Sequence, residues 1–341
     1  MLGRRAELVS RFAPAFLLAA AGLTGCPTDT PDSEPVDTGA TVAVCSDNAW
    51  IDVSPGYFRA CGVHEDGCIE CWGDVKADAV NDTGWTNYGL LEPPAVAARS
   101  VSVEASTIDD GEPAACVVAS DGHLTCWGLP LVVSIPTAGG VSRIQLRDKY
   151  DAAIQALGGA VARYGYDGEM RETVAVDLGP ADPGKLWSGE AGYCLIDGDQ
   201  LRCTGIIGPE ESFTRAGVTD ASVGAYDACW TDVHGTLSCQ ALRVSYYPQV
   251  LAPPPGAFHS PCVFHMACAL NTDDRAVCWY SDELPVPFSG WTEAADVPLA
   301  ELRCDWWGAC GITPDGKLHC WGDDNSVHRP PGSFVIPYGT L

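Results

Sequence analysis

From residue 45 onward, short apolar segments alternate with polar turns at regular intervals. Residues 116–126 show the unit: Cys116-Val-Val-Ala, a polar Ser120-Asp121-Gly122, then His-Leu-Thr-Cys126, closed by Trp127-Gly128. A three-residue loop with glycine in the left-handed region commonly joins two antiparallel strands, so the pattern predicts a β-hairpin turning at 120–122. Segments such as Trp50-Ile51-Asp52-Val53-Ser54, Ser100-Val101-Ser102-Val103 and Ala221-Ser222-Val223-Gly224 read as a further strand ahead of each hairpin. Pro/Gly-rich connections such as Arg329-Pro330-Pro331-Gly332 separate the units. Short strands at even spacing with turn chemistry between them indicate an all-β array.

The hairpin unit recurs with a cysteine at each end. Cys61 and Cys71, Cys116 and Cys126, Cys229 and Cys239, Cys268 and Cys278, and Cys310 and Cys320 are each ten positions apart, and Cys194 and Cys203 are nine apart. Closing the loop at Ala119 and His123 sets Cys116 directly opposite Cys126, in a non-hydrogen-bonded pair with α-carbons about 4.5 Å apart, within disulfide reach. In the nine-spaced copy a two-residue loop, Gly198-Asp199, again sets the cysteines opposite each other. A seventh copy over 153–165 keeps the spacing and the final Tyr164-Gly165 but has Ala153 and Arg163 where the cysteines would be. Both members of the pair are replaced together, as a disulfide requires and a zinc site does not. A period of about 40 residues with three or four strands per unit fits a β-propeller blade.

Of the 17 cysteines, five lie outside these hairpins. Cys262 and Cys304 each precede the first cysteine of their own copy by six residues, so they occupy equivalent positions in consecutive repeats and are placed to bridge neighbouring strands. Cys45 and Cys68 remain as a further pair by elimination, and Cys26 belongs to the N-terminal segment. Spacing alone leaves the pairing of these four open. So many cysteines point to an oxidising compartment.

The stretches Gly67–Gly73, Gly122–Gly128 and Gly316–Gly322 share the form Gly-x-[Val/Leu/Ile]-x-Cys-Trp-Gly. They resemble the repeats of the bacterial RCC1-like family (regulator of chromosome condensation type) over about residues 45–341. The resemblance weakens at 153–165 and where Thr204 or Gln240 replaces the tryptophan. It implies a disulfide-rich, seven-bladed β-propeller, and the tail Ser333-Phe334-Val335-Ile336-Pro337-Tyr338-Gly339 resembles an extra strand able to close such a ring.

The N-terminus has a different character. Arg4, Arg5 and Arg11 precede the apolar run 12–23, which ends in Leu23-Thr24-Gly25-Cys26. A basic start, a short apolar stretch and small residues before a cut site form a secretory signal, and Leu-Thr-Gly-Cys resembles the bacterial lipoprotein lipobox. That resemblance implies a signal peptide over 1–25 and acylation at Cys26. Pro27 in place of aspartate favours the outer membrane or cell surface. Residues 26–44 are Thr/Pro/acid-rich and read as a disordered tether, leaving 45–341 as the folded domain.

The full chain carries 19 Lys+Arg against 45 Asp+Glu, a net charge of −26. Loss of residues 1–25 removes three arginines and one glutamate and deepens this to −28. A surface so acidic opposes nucleic-acid phosphates and anionic lipid headgroups, so the membrane contact expected is the lipid at Cys26.

Candidate chemistry is sparse. The seven histidines show no metal-ligand spacing, Cys68-Ile69-Glu70-Cys71 is formally a C-x-x-C although Cys71 already has a partner in its repeat, and Asp323-Asp324-Asn325 and Thr272-Asp273-Asp274 read as solvated turns. No nucleophile elbow or phosphate loop is present, so no catalytic residue, metal or cofactor is expected. Most of the 11 tryptophans sit at hairpin ends and read as packing. Trp306-Trp307 differ: neighbours on a strand face opposite ways, so one of them is a candidate binding contact. The resulting expectation is an exported, lipid-anchored, non-catalytic scaffold at the bacterial cell envelope presenting loops to a protein or glycan. The alternatives are a lyase or hydrolase with its site at the central channel, and a purely structural envelope component.

Overall fold

The structure is a computed structural model that describes residues 45, 48–56, 59–73, 92–104, 114–128, 140–148, 151–166, 173–205, 212–242, 253–264, 267–279, 297–304 and 308–322. Contacts divide the chain into Met1–Thr41 and Val42–Leu341. All described residues belong to the second unit. The signal segment, Cys26 and the tail strand at 333–339 lie outside the described residues, as does all of the tether up to residue 44.

The described residues form seven antiparallel sheets. The first holds β1 (Trp50–Gly56), β2 (Arg59–His64) and β3 (Ile69–Gly73), and the second β4 (Ala98–Val103), β5 (Ala114–Ala119) and β6 (Leu124–Gly128). The third has four strands, β7 (Val141–Asp148), β8 (Asp151–Ala156), β9 (Ala160–Tyr166) and β10 (Thr173–Pro180); so does the fourth, β11 (Leu186–Gly189), β12 (Gly192–Asp197), β13 (Gln200–Gly205) and β14 (Phe213–Arg215). The fifth holds β15 (Val218–Val223), β16 (Asp227–Asp232) and β17 (Leu237–Ala241), and the sixth β18 (Phe258–Val263), β19 (Ala267–Asn271) and β20 (Ala276–Trp279). The seventh holds β21 (Glu301–Cys304), β22 (Gly308–Ile312) and β23 (Leu318–Gly322).

The second and third strands of each sheet are the hairpin read from the sequence. Cys116 lies opposite Cys126, the Ala119 amide donates to the His123 carbonyl at 2.8 Å, and Gly122 has φ 83°. In the shorter copy Asp197 pairs with Gln200 and Cys194 with Cys203. The same facing positions hold Cys61 and Cys71, Cys229 and Cys239, Cys268 and Cys278, and Cys310 and Cys320. The α-carbons of the six bonded hairpin pairs stand 4.0–4.1 Å apart, closer than the ordinary spacing of such a pair. In the third sheet Ala153 faces Arg163.

Apolar clusters fill the spaces between successive sheets. One joins Cys61, Val63 and Ile69 to Ala98, Val101 and Val103; another joins Cys310, Ile312 and Leu318 of the seventh sheet to Val53, Ala60 and Trp72 of the first. The second cysteines of the hairpins are part of this packing: Cys239 lies against the cluster between the fifth and sixth sheets, Cys278 against that between the sixth and seventh, and Cys320 against that between the seventh and first. The hairpin-end tryptophans Trp127, Trp279 and Trp321 pack against clusters of this kind. Backbone bonds run the same circuit. The turn of six hairpins accepts a hydrogen bond from an amide at or just ahead of the start of the next sheet: Ala98 to Gly67, Val141 to Gly122, Val218 to Asp199, Phe258 to Gly235, Leu299 to Asp274 and Trp50 to Gly316; in the third sheet the turn at Gly159 accepts instead from Ala181, which follows that sheet's own β10, all at 2.8–3.1 Å. The bond from Trp50 joins the seventh sheet to the first, so the described sheets close on themselves in a propeller-like ring. Gly316 shows why the turn needs glycine: φ is +78°, and an added Cβ would lie 2.2 Å from the Ala49 Cβ.

Candidate functional site

Two regions follow from this arrangement. The first is the ring's centre. A first strand pairs with its own sheet on one side only, so its inner edge would carry unmet amides. Side chains of the preceding sheet meet them: Asp52 Oδ2 accepts from Val101 N (2.9 Å), Ser54 Oγ from Val103 N (2.9 Å), Ser102 Oγ from Leu146 N (2.8 Å) and Ser222 Oγ from Val263 N (3.1 Å). The residues opposite the first cysteine position of each hairpin are Ser54, Ser102, Gln145, Trp187, Ser222, Cys262 and Arg303. All seven line one central cavity of about 80 Å³.

Two residues upstream, the first strands and the residues just ahead of them carry Asp52, Ser100, Arg143, Lys185, Asp220, Ser260 and Glu301. Lys185, Asp220, Ser260 and Glu301 line an adjoining space of about 210 Å³, which shares Trp187 and Arg303 with the first. Across the two spaces three carboxylates and three cations therefore converge, Asp52 and Arg143 in the first and Lys185, Asp220 and Glu301 in the second, with Arg303 in both. Lys185 Nζ lies 3.5 Å from Asp220 Oδ1, Arg303 pairs with Glu301, and the Lys185 ammonium stands 5.7 Å from the Trp187 ring centroid. Burial, reinforced by the Glu301 charge, pushes the Asp52 carboxyl up to about 6. Burial and the Arg303 charge lower Arg143.

The second region is the face formed by the hairpin turns, which the circuit of turn-to-strand bonds holds together. Asp66, Asp121, Asp199, Asp273, Asp274 and Asp315 are exposed on it. Several turns are locked by their own side chains. Asp121 Oδ1 accepts from His123 N at 3.0 Å, and Asp232 Oδ1 from His234 N and Thr236 N at 2.8 Å. These amides hold the carboxyls of Asp121 and Asp232 below the usual carboxylate range; at Asp315 the Lys317 ammonium and the Thr313 hydroxyl have the same effect. Leu157 and Val233, at the tips of two turns, are 61% and 63% exposed, and Ile51, on the β1 bulge at the same end, is 44% exposed.

The sequence candidates fall as follows. The six hairpin disulfides are Cys61 with Cys71, Cys116 with Cys126, Cys194 with Cys203, Cys229 with Cys239, Cys268 with Cys278 and Cys310 with Cys320, each within its own sheet. Cys262–Cys304 joins the first strands of the sixth and seventh sheets, with α-carbons 5.4 Å apart, and Cys45–Cys68 ties the segment ahead of β1 to the first hairpin turn, at 5.6 Å. The sulfurs of Cys262, Cys268 and Cys304 lie within 4.8 Å of one another; each is in a disulfide and none offers a thiolate. Trp306, Trp307, Cys26 and Asp323-Asp324-Asn325 lie outside the described residues. His259 Nε2 and Asp274 Oδ1 are 2.9 Å apart at an exposed turn.

The sequence reading missed the charged channel. Its residues lie far apart along the chain and show no motif; the available signal was that all occupy one repeat position, two before the residue facing the hairpin cysteine. It also missed a buried network. Asp151, 2% exposed in its side chain, accepts from Arg147 Nε (3.1 Å), from Arg163 Nε (3.0 Å) and Nη2 (2.6 Å), and from the Tyr193 hydroxyl (2.7 Å).

No family model and no curated protein sequence matches the chain. Solved structures do. The CRINKLY WD40 ectodomain of the Arabidopsis thaliana receptor kinase ACR4 superposes with a TM-score of 0.50 at 15% identity, covering 81% of this chain and 95% of that one. The entire ectodomain of the Physcomitrella patens receptor kinase CR4 gives 0.52 at 19% identity, covering 81% and 72%. The yeast RCC1 protein Prp20p from Saccharomyces cerevisiae gives 0.41 at 11% identity over 79% and 71%, too loose to place the chain in that repeat family. At such identities the likeness concerns the fold, and the fold is a disulfide-rich, propeller-like all-β ring.

Proposed function

We propose that the chain is a closed seven-bladed propeller of the bacterial RCC1-like type, exported and held at the cell envelope by a lipid on Cys26. On this reading it acts as a non-catalytic scaffold whose hairpin-turn face binds a protein or glycan. The observation that carries the reading is that face: turns fixed by backbone bonds, carrying exposed carboxylates together with exposed Ile51, Leu157 and Val233. A rigid platform loses little entropy on binding, and exposed apolar side chains among charges are common at contact sites. Its acidity suits a basic partner surface.

Capture from cell-surface extract on the mature chain tests this against a variant combining Leu157→Ser with Val233→Ser. A partner retained by the parent and lost by the variant supports the face; equal capture by both overturns it. Cys26→Ser should move the protein from the membrane to the soluble fraction.

A channel enzyme is the second reading, favoured by one observation: Asp52, Asp220 and Glu301 converge, with Asp52 raised to about 6. Against it, Asp220 and Glu301 are each engaged by a cation, which suits binding better than proton transfer.

A further inference from the structure

We propose that the mouth of the central channel binds a small zwitterion of the α-amino-acid class, a role separate from the docking face. Three features of the charged cluster carry this.

The first is its balance. Three carboxylates face three cations in a half-buried space, so a ligand of either single charge would leave an uncompensated charge in a poorly solvated site. Such charges are costly unless paired. A ligand carrying both signs keeps the sum at zero.

The second is the unequal pairing within the cluster. Lys185 is engaged with Asp220 and Arg303 with Glu301. Asp52 and Arg143 are left as the ends of opposite sign. Among the described residues the Arg143 Nε and the Ser100 hydroxyl are buried without a hydrogen-bond partner, and they occupy the same repeat position in neighbouring sheets. Arg143 lines the central cavity together with Asp52, and a guanidinium there matches a carboxylate. Asp52 supplies the complementary end. Its carboxyl, disfavoured as an anion by burial and by Glu301, gains most from an ammonium.

The third is size. Asp52 and Arg143 line the central cavity of about 80 Å³, which adjoins the space of about 210 Å³ lined by Lys185, Asp220 and Glu301; together they admit a molecule of a few heavy atoms to about ten, with Trp187, common to both, as an apolar wall. The cations that would repel the ammonium, Lys185 and Arg303, are the two already neutralised by carboxylates.

Isothermal titration of the mature full-length chain at pH 7.5 tests the site. The probes are L-alanine, L-glutamine and L-lysine, with acetate and methylammonium as single-charge controls. The expected result is saturable binding of at least one amino acid, with both controls at least tenfold weaker. Arg143→Gln should weaken that binding at least tenfold, and Asp52→Asn several-fold, with melting temperature and disulfide content showing that each variant is folded. Lowering the pH from 7.5 to 5 should weaken binding in the parent and leave it unchanged in Asp52→Asn. No binding by any amino acid at millimolar concentration overturns the proposal. So does acetate binding as tightly as the amino acids, which would mark a plain anion site, or full affinity in folded Arg143→Gln. None of these outcomes touches the docking face, whose variants lie elsewhere.

Discussion

The second and third sheets solve one problem in two ways. In the second, β5 and β6 are joined by Cys116–Cys126. In the third, the same two positions hold Ala153 and Arg163, and the strands are held by Arg163 donating to Asp151, which lies two residues ahead of Ala153. The covalent link closes within one sheet. The polar one reaches further, because Asp151 also accepts from Tyr193 in the fourth sheet and from Arg147 on β7. The third sheet gains a fourth strand as well, with β10 pairing along β9. A disulfide acts on the unfolded chain by shortening it; the carboxylate network acts in the folded state and fails if any shared partner is removed. The Tyr193 hydroxyl, buried and facing the Asp151 charge, titrates well above its ordinary range, which favours its protonated form as the donor to Asp151.

The sharpest way to break this comparison is Asp151→Ala. It strips the acceptor shared by two guanidiniums and a phenol, and urea unfolding should show a loss of about 3–5 kcal/mol. Replacing both cysteines of the second sheet, Cys116→Ser with Cys126→Ser, removes a short loop closure and should cost about 2–3 kcal/mol. A smaller effect tests the channel. Asp52 holds its proton more tightly in the folded chain than the unfolded chain does, so stability should fall as pH rises from about 4 to about 6. Asp52→Asn should flatten that fall and stabilise the protein at pH 7.5 by about 1 kcal/mol after allowance for solvent screening, with no gain at pH 3.5, as thermal melts at the two pH values would show. The smallest effect is expected from converting the third sheet to the second sheet's solution. Ala153→Cys with Arg163→Cys should form a disulfide by peptide mapping, yet leave stability within about 1 kcal/mol of the parent, since the crosslink gained offsets the ion pair lost. A gain of several kcal/mol would mean that the polar network contributes little.

The hairpins were legible because each is local. Eleven residues contain both cysteines, the turn glycine and the alternation that sets the register, so the pairing of Cys194 with Cys203 across a shorter loop follows from counting. The inter-sheet bridge Cys262–Cys304 was suggested by equivalent repeat positions, and only the packing of the sixth sheet on the seventh brings the two sulfurs together. The serines of the first strands gave no signal as single residues; their role as acceptors for the next sheet's amides exists only when two sheets lie side by side. Aspartate and glycine in the turns announced the turn type, and the bond from Trp50 to Gly316 shows that the same glycines also close the ring.

The sequence by itself determined the unit, its staple and its repetition, because strand register and loop closure depend on neighbours a few positions away. The charged channel, the shared Asp151 acceptor and the common turn face were decided by tertiary structure. Asp52, Arg143 and Glu301 are far apart in the chain, and their charges interact only because successive first strands are carried round to a common centre.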